Sequence, residues 1–130
     1  MTQTILVVDD EPEIVRLLRS YLEKDGYRVV TAYNGEEALY AARHEKPDLV
    51  VLDILMPKMD GFGFLKSIKN DLEYSHIPVI MLTTSKNEED IAKSYKYGAT
   101  SYIQKPVSYE DFVNFVDGFN FYWQSMKKKQ

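Results

Sequence analysis

Residues 49–61, LVVLDILMPKMDG, contain the clearest indication of the fold. The first four residues of this stretch are an unbroken apolar run, typical of a strand buried on both faces of a parallel sheet. The run ends in Asp53, and a second apolar run, residues 5–8, ends in Asp9 and Asp10. Core packing does not require carboxylates at strand ends, and neighbouring carboxylates repel one another. A divalent cation such as Mg²⁺, which takes oxygen ligands, would make the cluster favourable. The pattern therefore predicts an acidic metal pocket.

Five strand candidates alternate with five helical segments along the chain. The predicted strands are Thr4–Val8, Arg28–Ala32, Leu49–Asp53, Val79–Thr83 and Ser101–Gln104. The predicted helices cover residues 13–24, 36–45, 61–70, a segment from a Ser85/Glu88 capping box to about 97, and 109 to about 126. This alternation predicts an α/β fold, a doubly wound parallel sheet with helices on both faces.

The chemistry-bearing residues lie at one edge of the predicted sheet. In doubly wound folds, ligands bind beyond the carboxyl ends of the strands. The residues at or just after those ends are Asp9, Asp10, Asp53, Thr83 and Lys105. Their common position predicts a single site.

Composition limits the classes of function. A chain of 130 residues with 45% hydrophobic content suits one compact domain, residues 1–130. Its net charge of −4 argues against direct nucleic-acid binding. Cysteine is absent, so disulfides and thiolate metal sites are excluded. Neither a membrane-spanning stretch nor a basic signal peptide is evident, and we expect a cytoplasmic protein.

The predicted pocket suits phosphoryl transfer. Asp10 and Asp53 can ligate Mg²⁺ directly, Asp9 can help through water, and the backbone carbonyl of Leu55 can complete the protein's share of the shell. A carboxylate can act as the nucleophile and form an acyl phosphate, and Asp53 is the candidate. The other groups expected at the phosphoryl group are the Thr83 hydroxyl and the Lys105 ammonium.

With these motifs, the chain resembles the receiver domains of two-component response regulators from residue 4 to about residue 126. The resemblance rests on the acidic residues at the two strand ends, on Met56-Pro57 with Asp60-Gly61, on Thr83, and on Lys105-Pro106. It implies a flavodoxin-like (βα)5 fold with strand order 2-1-3-4-5. It also implies that the Lys105–Pro106 peptide bond is cis.

The resemblance also implies roles for single residues. Asp53 would accept a phosphoryl group from a histidine kinase or a phosphotransfer protein, with Asp9 and Asp10 holding Mg²⁺. Thr83 would be the switch hydroxyl, and Tyr102 the aromatic residue that turns inward with it. The protein would be a signalling switch, catalysing only its own phosphorylation and dephosphorylation.

The C-terminal half is similar to phytochrome-associated single-domain regulators, which dimerise through their fourth helix, fifth strand and fifth helix. The last predicted helix carries more aromatic residues than one buried face needs. We therefore expect a homodimer interface on this surface. Its predicted residues are Tyr95, Tyr97, Phe115, Phe119, Tyr122 and Trp123.

Two positions near the predicted acceptor set an expectation for phosphoryl-group lifetime. Leu55 is apolar where chemotaxis members of the family carry a polar residue, and Ser85 lies two residues after Thr83. Both should border the path of a hydrolytic water. Because Leu55 cannot orient water, we expect slow self-dephosphorylation.

Three other interpretations remain open. A magnesium phosphatase with an aspartyl-phosphate intermediate would need a second aspartate where this chain has Leu55. A receiver-like domain could bind partners without phosphorylation, or the chain could belong to a longer regulator with an output domain.

For Glu11, a first-turn helix role favoured by the helix dipole is preferred over a ligand role. His44 and His76 are interpreted as surface residues.

Overall fold

In the computed structural model, five parallel strands form one sheet with the order β2-β1-β3-β4-β5. Residues 2–54, 56, 59–83, 87–105, 117 and 121 are described. The strands are β1 (Thr4–Val8), β2 (Arg28–Ala32), β3 (Leu49–Asp53), β4 (Val79–Thr83) and β5 (Ser101–Gln104). These bounds agree with the predicted ones, and the flavodoxin-like fold and strand order are confirmed.

Alternation along the central strands divides the core into two layers. On one face, Leu6, Val50 and Met81 pack with Phe64 and Leu65 of helix α3 (Gly61–Lys69). On the other face, strand side chains of opposite parity pack against helix α1 (Pro12–Lys24); they are Ile5, Val7, Leu49, Val51, Ile80 and Leu82. Since successive side chains of a strand point to opposite faces, strands buried on both sides must be apolar at every position. This is why the runs at 5–8 and 49–52 are unbroken.

The described helices are α1 (Pro12–Lys24), α2 (Gly35–Glu45), α3 (Gly61–Lys69) and α4 (Glu88–Lys96). Asn34 caps α2 by accepting a hydrogen bond from the Glu37 N–H at 2.9 Å. Asp60 caps α3 in the same way through the Gly63 N–H at 2.8 Å.

The predicted start of α4 was wrong. The N-cap is Asn87, whose Oδ1 accepts from the Glu89 N–H at 2.8 Å, so Glu88 is the first helical residue and not the third. The Asn87 side chain thus accepts from an N–H two residues further along the chain, whereas the predicted Ser85/Glu88 pair spans three residues. Ser85 itself lies outside the described residues.

The last predicted helix, residues 109–126, lies almost wholly outside the described residues, as does the predicted cis bond at Pro106. Within the described part of the chain, no helix is both long enough and apolar enough to cross a membrane.

Candidate functional site

The strand ends bring the predicted site residues together. Asp9 follows β1 and is fully buried, and Asp53 ends β3 with 4% of its surface exposed. Thr83 ends β4 and Lys105 follows β5, and both are buried. Asp10, next to Asp9, faces solvent. The parallel register fixes this arrangement, because Val8 pairs with Leu52 and Asp53 pairs with Leu82.

Lys105 is the central cation of the site. Its Nζ lies 2.8 Å from Asp9 Oδ2, 3.0 Å from Glu11 Oε1 and 3.2 Å from Asp53 Oδ2. Its backbone N–H donates to the Thr83 carbonyl at 2.6 Å, which extends the β4–β5 pairing to the residue after β5. The side chain is 5% exposed, so these carboxylates replace the water that a buried ammonium loses.

Burial and mutual repulsion set the electrostatics of the site. Desolvation, together with the charge of Asp9, raises the pKa of Asp53 to about 7, although Lys105 opposes the shift. Desolvation also raises the pKa of Asp9, against the hydrogen bond and charge of Lys105. Burial alone would lower the pKa of Lys105, but its contacts with Asp9 and Asp53 outweigh burial and raise that pKa. The site therefore carries more negative charge than one lysine can neutralise.

This excess of negative charge predicts that the free energy of unfolding of the metal-free protein depends on pH. The folded-state pKa of Asp53, about 7, lies above its ordinary value of 3.8, so the folded state holds this proton more tightly than the unfolded chain. Stability from this group is present at low pH and is lost as the pH rises toward and through 7. Asp53→Asn cannot lose the proton. We therefore expect its advantage over wild type in free energy of unfolding to grow by about 2–3 kcal/mol from pH 5 to pH 8.

Urea denaturation of both proteins with a chelator present measures this difference. Comparison with the variant cancels the titration of distant groups. If the free energy of unfolding of Asp53→Asn exceeded that of wild type by the same amount at both pH values, the raised pKa of Asp53 would be contradicted.

The donor set fits a hard divalent cation. One carboxylate oxygen from each of Asp9, Asp10 and Asp53 lies within 4.8 Å of the others. Octahedral Mg²⁺ holds its oxygens at about 2.1 Å, so ligands of one ion are about 3–4 Å apart and little closure is needed. The buried Asp9 Oδ2 lies 2.8 Å from the Lys105 ammonium, and because a carboxylate oxygen can accept from more than one partner it retains capacity for a cation. The predicted fourth donor, the Leu55 carbonyl, lies outside the described residues.

Glycine at position 61 lets α3 begin directly against the acceptor strand. The Gly61 N–H donates to the Ile54 carbonyl at 2.7 Å. A Cβ at this position would lie 2.1 Å from the Asp53 carbonyl oxygen and 2.8 Å from Ile54 Cα. The sequence places this glycine at the start of the predicted helix over residues 61–70, but it does not reveal the close approach to the Asp53 backbone.

Thr83 and Tyr102, the predicted switch pair, lie on the same face of the sheet. Tyr102 pairs in register with Met81, and its partly buried side chain packs on the core layer that includes Met81 and Phe64. By strand alternation, Thr83 points to the side of Met81. The switch roles themselves remain predictions.

The predicted interface residues are described only in part. Tyr95 on α4 is exposed, whereas Tyr97 at the end of α4 is partly buried and meets Phe62 edge-to-face, with ring centroids 6.1 Å apart. The ammonium of Lys93 lies 4.5 Å from the Phe62 ring centre. The remaining predicted interface residues lie outside the described residues; they are Phe115, Phe119, Tyr122 and Trp123.

Comparison with known proteins identifies similar sequences over most of the chain. A family model described as the response regulator receiver domain matches residues 5–117. The chain is 46% identical over 108 residues to the alkaline phosphatase synthesis transcriptional regulatory protein PhoP of Bacillus subtilis, covering 83% of this chain but 44% of PhoP. It is 41% identical over 113 residues to protein PilH of Pseudomonas aeruginosa, covering 87% of this chain and 93% of PilH.

Solved structures of response regulators have the same fold as this chain. The phosphorylated cyanobacterial phytochrome response regulator RcpA matches with a TM-score of 0.88 at 33% identity, covering 97% of this chain and 96% of RcpA. The Mn²⁺-bound form of the response regulator Rcp1 matches with a TM-score of 0.85 at 30% identity, covering 93% and 94% of the two chains.

Proposed function

Because the chain belongs to the response regulator receiver family, we propose that it is a phosphorylation switch in which Asp53 accepts a phosphoryl group from a histidine kinase or a phosphotransfer protein. The observation that carries this proposal is the meeting of Asp53, Asp9, Asp10 and Lys105 at the carboxyl edge of the sheet. RcpA, a phosphorylated relative, and Rcp1, a Mn²⁺-bound relative, support it by analogy. We also propose that it acts in the cytoplasm.

In the proposed step, an ionised Asp53 oxygen attacks the phosphorus of a phosphohistidine. The new P–O bond forms as the P–N bond breaks, and the electron pair returns to the imidazole nitrogen of the donor. Lys105, 3.2 Å from Asp53 Oδ2, is placed to donate to an oxygen of the transferred group, and Thr83 supplies a hydroxyl at the adjoining strand end. A Mg²⁺ ion held by Asp9, Asp10 and Asp53 would neutralise charge on the phosphoryl group during transfer.

Phosphorylation would be transmitted through Thr83 and Tyr102 to the face that includes α4 and β5. A shift of Thr83 toward the phosphoryl group would open space on the side of the sheet that Tyr102 shares. The two states would pre-exist, and the phosphoryl group would change their populations. We propose that this face controls partner binding or homodimerisation, with Tyr95 exposed on it.

The test uses the purified chain with Mg²⁺ and acetyl phosphate. We expect the intact mass to increase by one phosphoryl group, and a chelator should prevent the increase, because the acidic cluster is unfavourable for an incoming anion without a cation. Light scattering of both forms then reports any change in oligomeric state. A chain that gained no phosphoryl group from acetyl phosphate or from histidine kinases of its source organism would contradict the proposed function.

A further inference from the structure

Glu11 lies at the N-cap of α1 but does not cap the helix. Its backbone is extended, with φ −93° and ψ 107°, and its side chain accepts no hydrogen bond from the first turn. Its N–H donates instead to Asp9 Oδ1 at 2.9 Å, and its carboxylate reaches Lys105 Nζ at 3.0 Å across 94 positions of sequence. Residues that serve as N-caps are Ser, Thr, Asp and Asn. Capping therefore does not account for Glu11, whereas its contact with Lys105 does.

The Lys105 ammonium has three hydrogens and, in the part of the chain that the structure describes, three carboxylate neighbours, those of Asp9, Glu11 and Asp53. Two of these neighbours, Asp9 and Asp53, also belong to the group whose oxygens could surround a metal ion. Glu11 does not belong to that group, and its side chain is 57% exposed. Among the described partners of Lys105, it is thus the one that a cation in the pocket leaves uncommitted.

We propose that Glu11 is a positioning residue for phosphoryl transfer, which holds the Lys105 ammonium beside Asp53 when the other two carboxylates are shared with a cation. The inference rests on the proposed function. A bound cation and the ammonium repel one another, so Lys105 needs an anchor that does not itself bind the metal. Anchored by Glu11, the ammonium is already in place for a phosphoryl oxygen and needs no reorganisation during transfer.

The test compares rates of phosphorylation by acetyl phosphate for wild type, Glu11→Ala, Glu11→Gln and Glu13→Gln at saturating Mg²⁺. Loss of one charge-assisted partner of Lys105 should lower the maximal rate about fivefold in Glu11→Ala. Glu11→Gln retains an acceptor oxygen, so a decrease of about twofold is expected. Glu13 is exposed in the first turn of α1. Glu13→Gln removes a charge of the same sign near the site and should leave the rate unchanged.

Combining Glu11→Ala with a substitution of Lys105 distinguishes a positioning role of Glu11 from a general effect on α1. In a Lys105→Met background, Glu11→Ala should cause no further decrease, and the Mg²⁺ concentration for half-maximal rate should be the same in Glu11→Ala as in wild type. An equal decrease in both backgrounds, or none in either, would overturn the inference. Circular dichroism checks the fold of each variant, and Glu11→Gln carries the test if Glu11→Ala does not fold.

The outcome for wild type distinguishes the two proposals. If wild type is not phosphorylated, the proposed function fails and the role of Glu11 fails with it. If wild type is phosphorylated and Glu11→Ala reacts at the same rate, only the role of Glu11 is overturned.

Discussion

Asp53→Asn is expected to abolish phosphorylation, lowering the rate with acetyl phosphate by at least about a hundredfold. The amide has almost the size and shape of the carboxylate but has no anionic oxygen to attack phosphorus. The same substitution removes one ligand from the candidate metal site. Intact-mass spectrometry with Mg²⁺ present measures the loss directly.

Two features make this result specific to the acceptor. The variant is expected to be more stable than wild type at pH 8 without metal, because burial and repulsion raise the pKa of Asp53. Lost phosphorylation therefore cannot be assigned to unfolding. Asp25→Asn is the matched control, since Asp25 is an exposed aspartate at the end of α1, remote in sequence from every site residue. Labelling of Asp53→Asn to the extent seen in wild type would place the acceptor elsewhere.

Gly61→Ala is expected to lower the free energy of unfolding by about 3 kcal/mol, the upper range for overpacking. The added Cβ would lie 2.1 Å from the Asp53 carbonyl oxygen, and the contact is with backbone that cannot rotate away. Relief requires α3 to move from β3 or the acceptor residue to shift. We therefore expect slower phosphorylation along with the lower midpoint in urea.

Gly63→Ala, two residues later in the same helix, is the control. Its added Cβ would lie 3.0 Å from Met59 Cγ, an atom of a flexible side chain, and would gain about 1 kcal/mol in helix propensity. We expect its stability to stay within about 1 kcal/mol of wild type. Equal stability of Gly61→Ala and Gly63→Ala would show that α3 does not need its close approach to the Asp53 backbone.

Local pattern was sufficient to predict most of the secondary structure. The five strands have their predicted bounds because unbroken apolar runs such as residues 5–8 and 49–52 are typical of strands buried on both faces of a parallel sheet, and carboxylates or turn residues delimit them. The start of α4 was wrong because Ser85 and Asn87 are both acceptable caps. Sequence alone cannot choose between cap signals two residues apart, whereas the hydrogen bond from Glu89 does.

Glu11 shows the limit for the site. Its sequence context, in the first turn after two aspartates, favoured a role with the helix dipole. Its contact with Lys105 depends on how β1 and β5 are placed in the sheet, at a separation of 94 residues. The sequence signal for this contact is weak: a glutamate stands at the N-cap of α1, where Ser, Thr, Asp or Asn is usual.

The alternation of strands and helices and the carboxylates at the ends of β1 and β3 are evident in the sequence, since hydrophobic period and strand-end residues are local properties. Through resemblance the sequence also indicated the family and the roles of Asp53, Thr83 and Lys105. How these groups share charge depends on the tertiary fold, which puts Lys105 between Asp9, Glu11 and Asp53 and raises the pKa of Asp53 to about 7. The reason is physical: desolvation and ion-pair distances depend on the packing of segments distant in sequence.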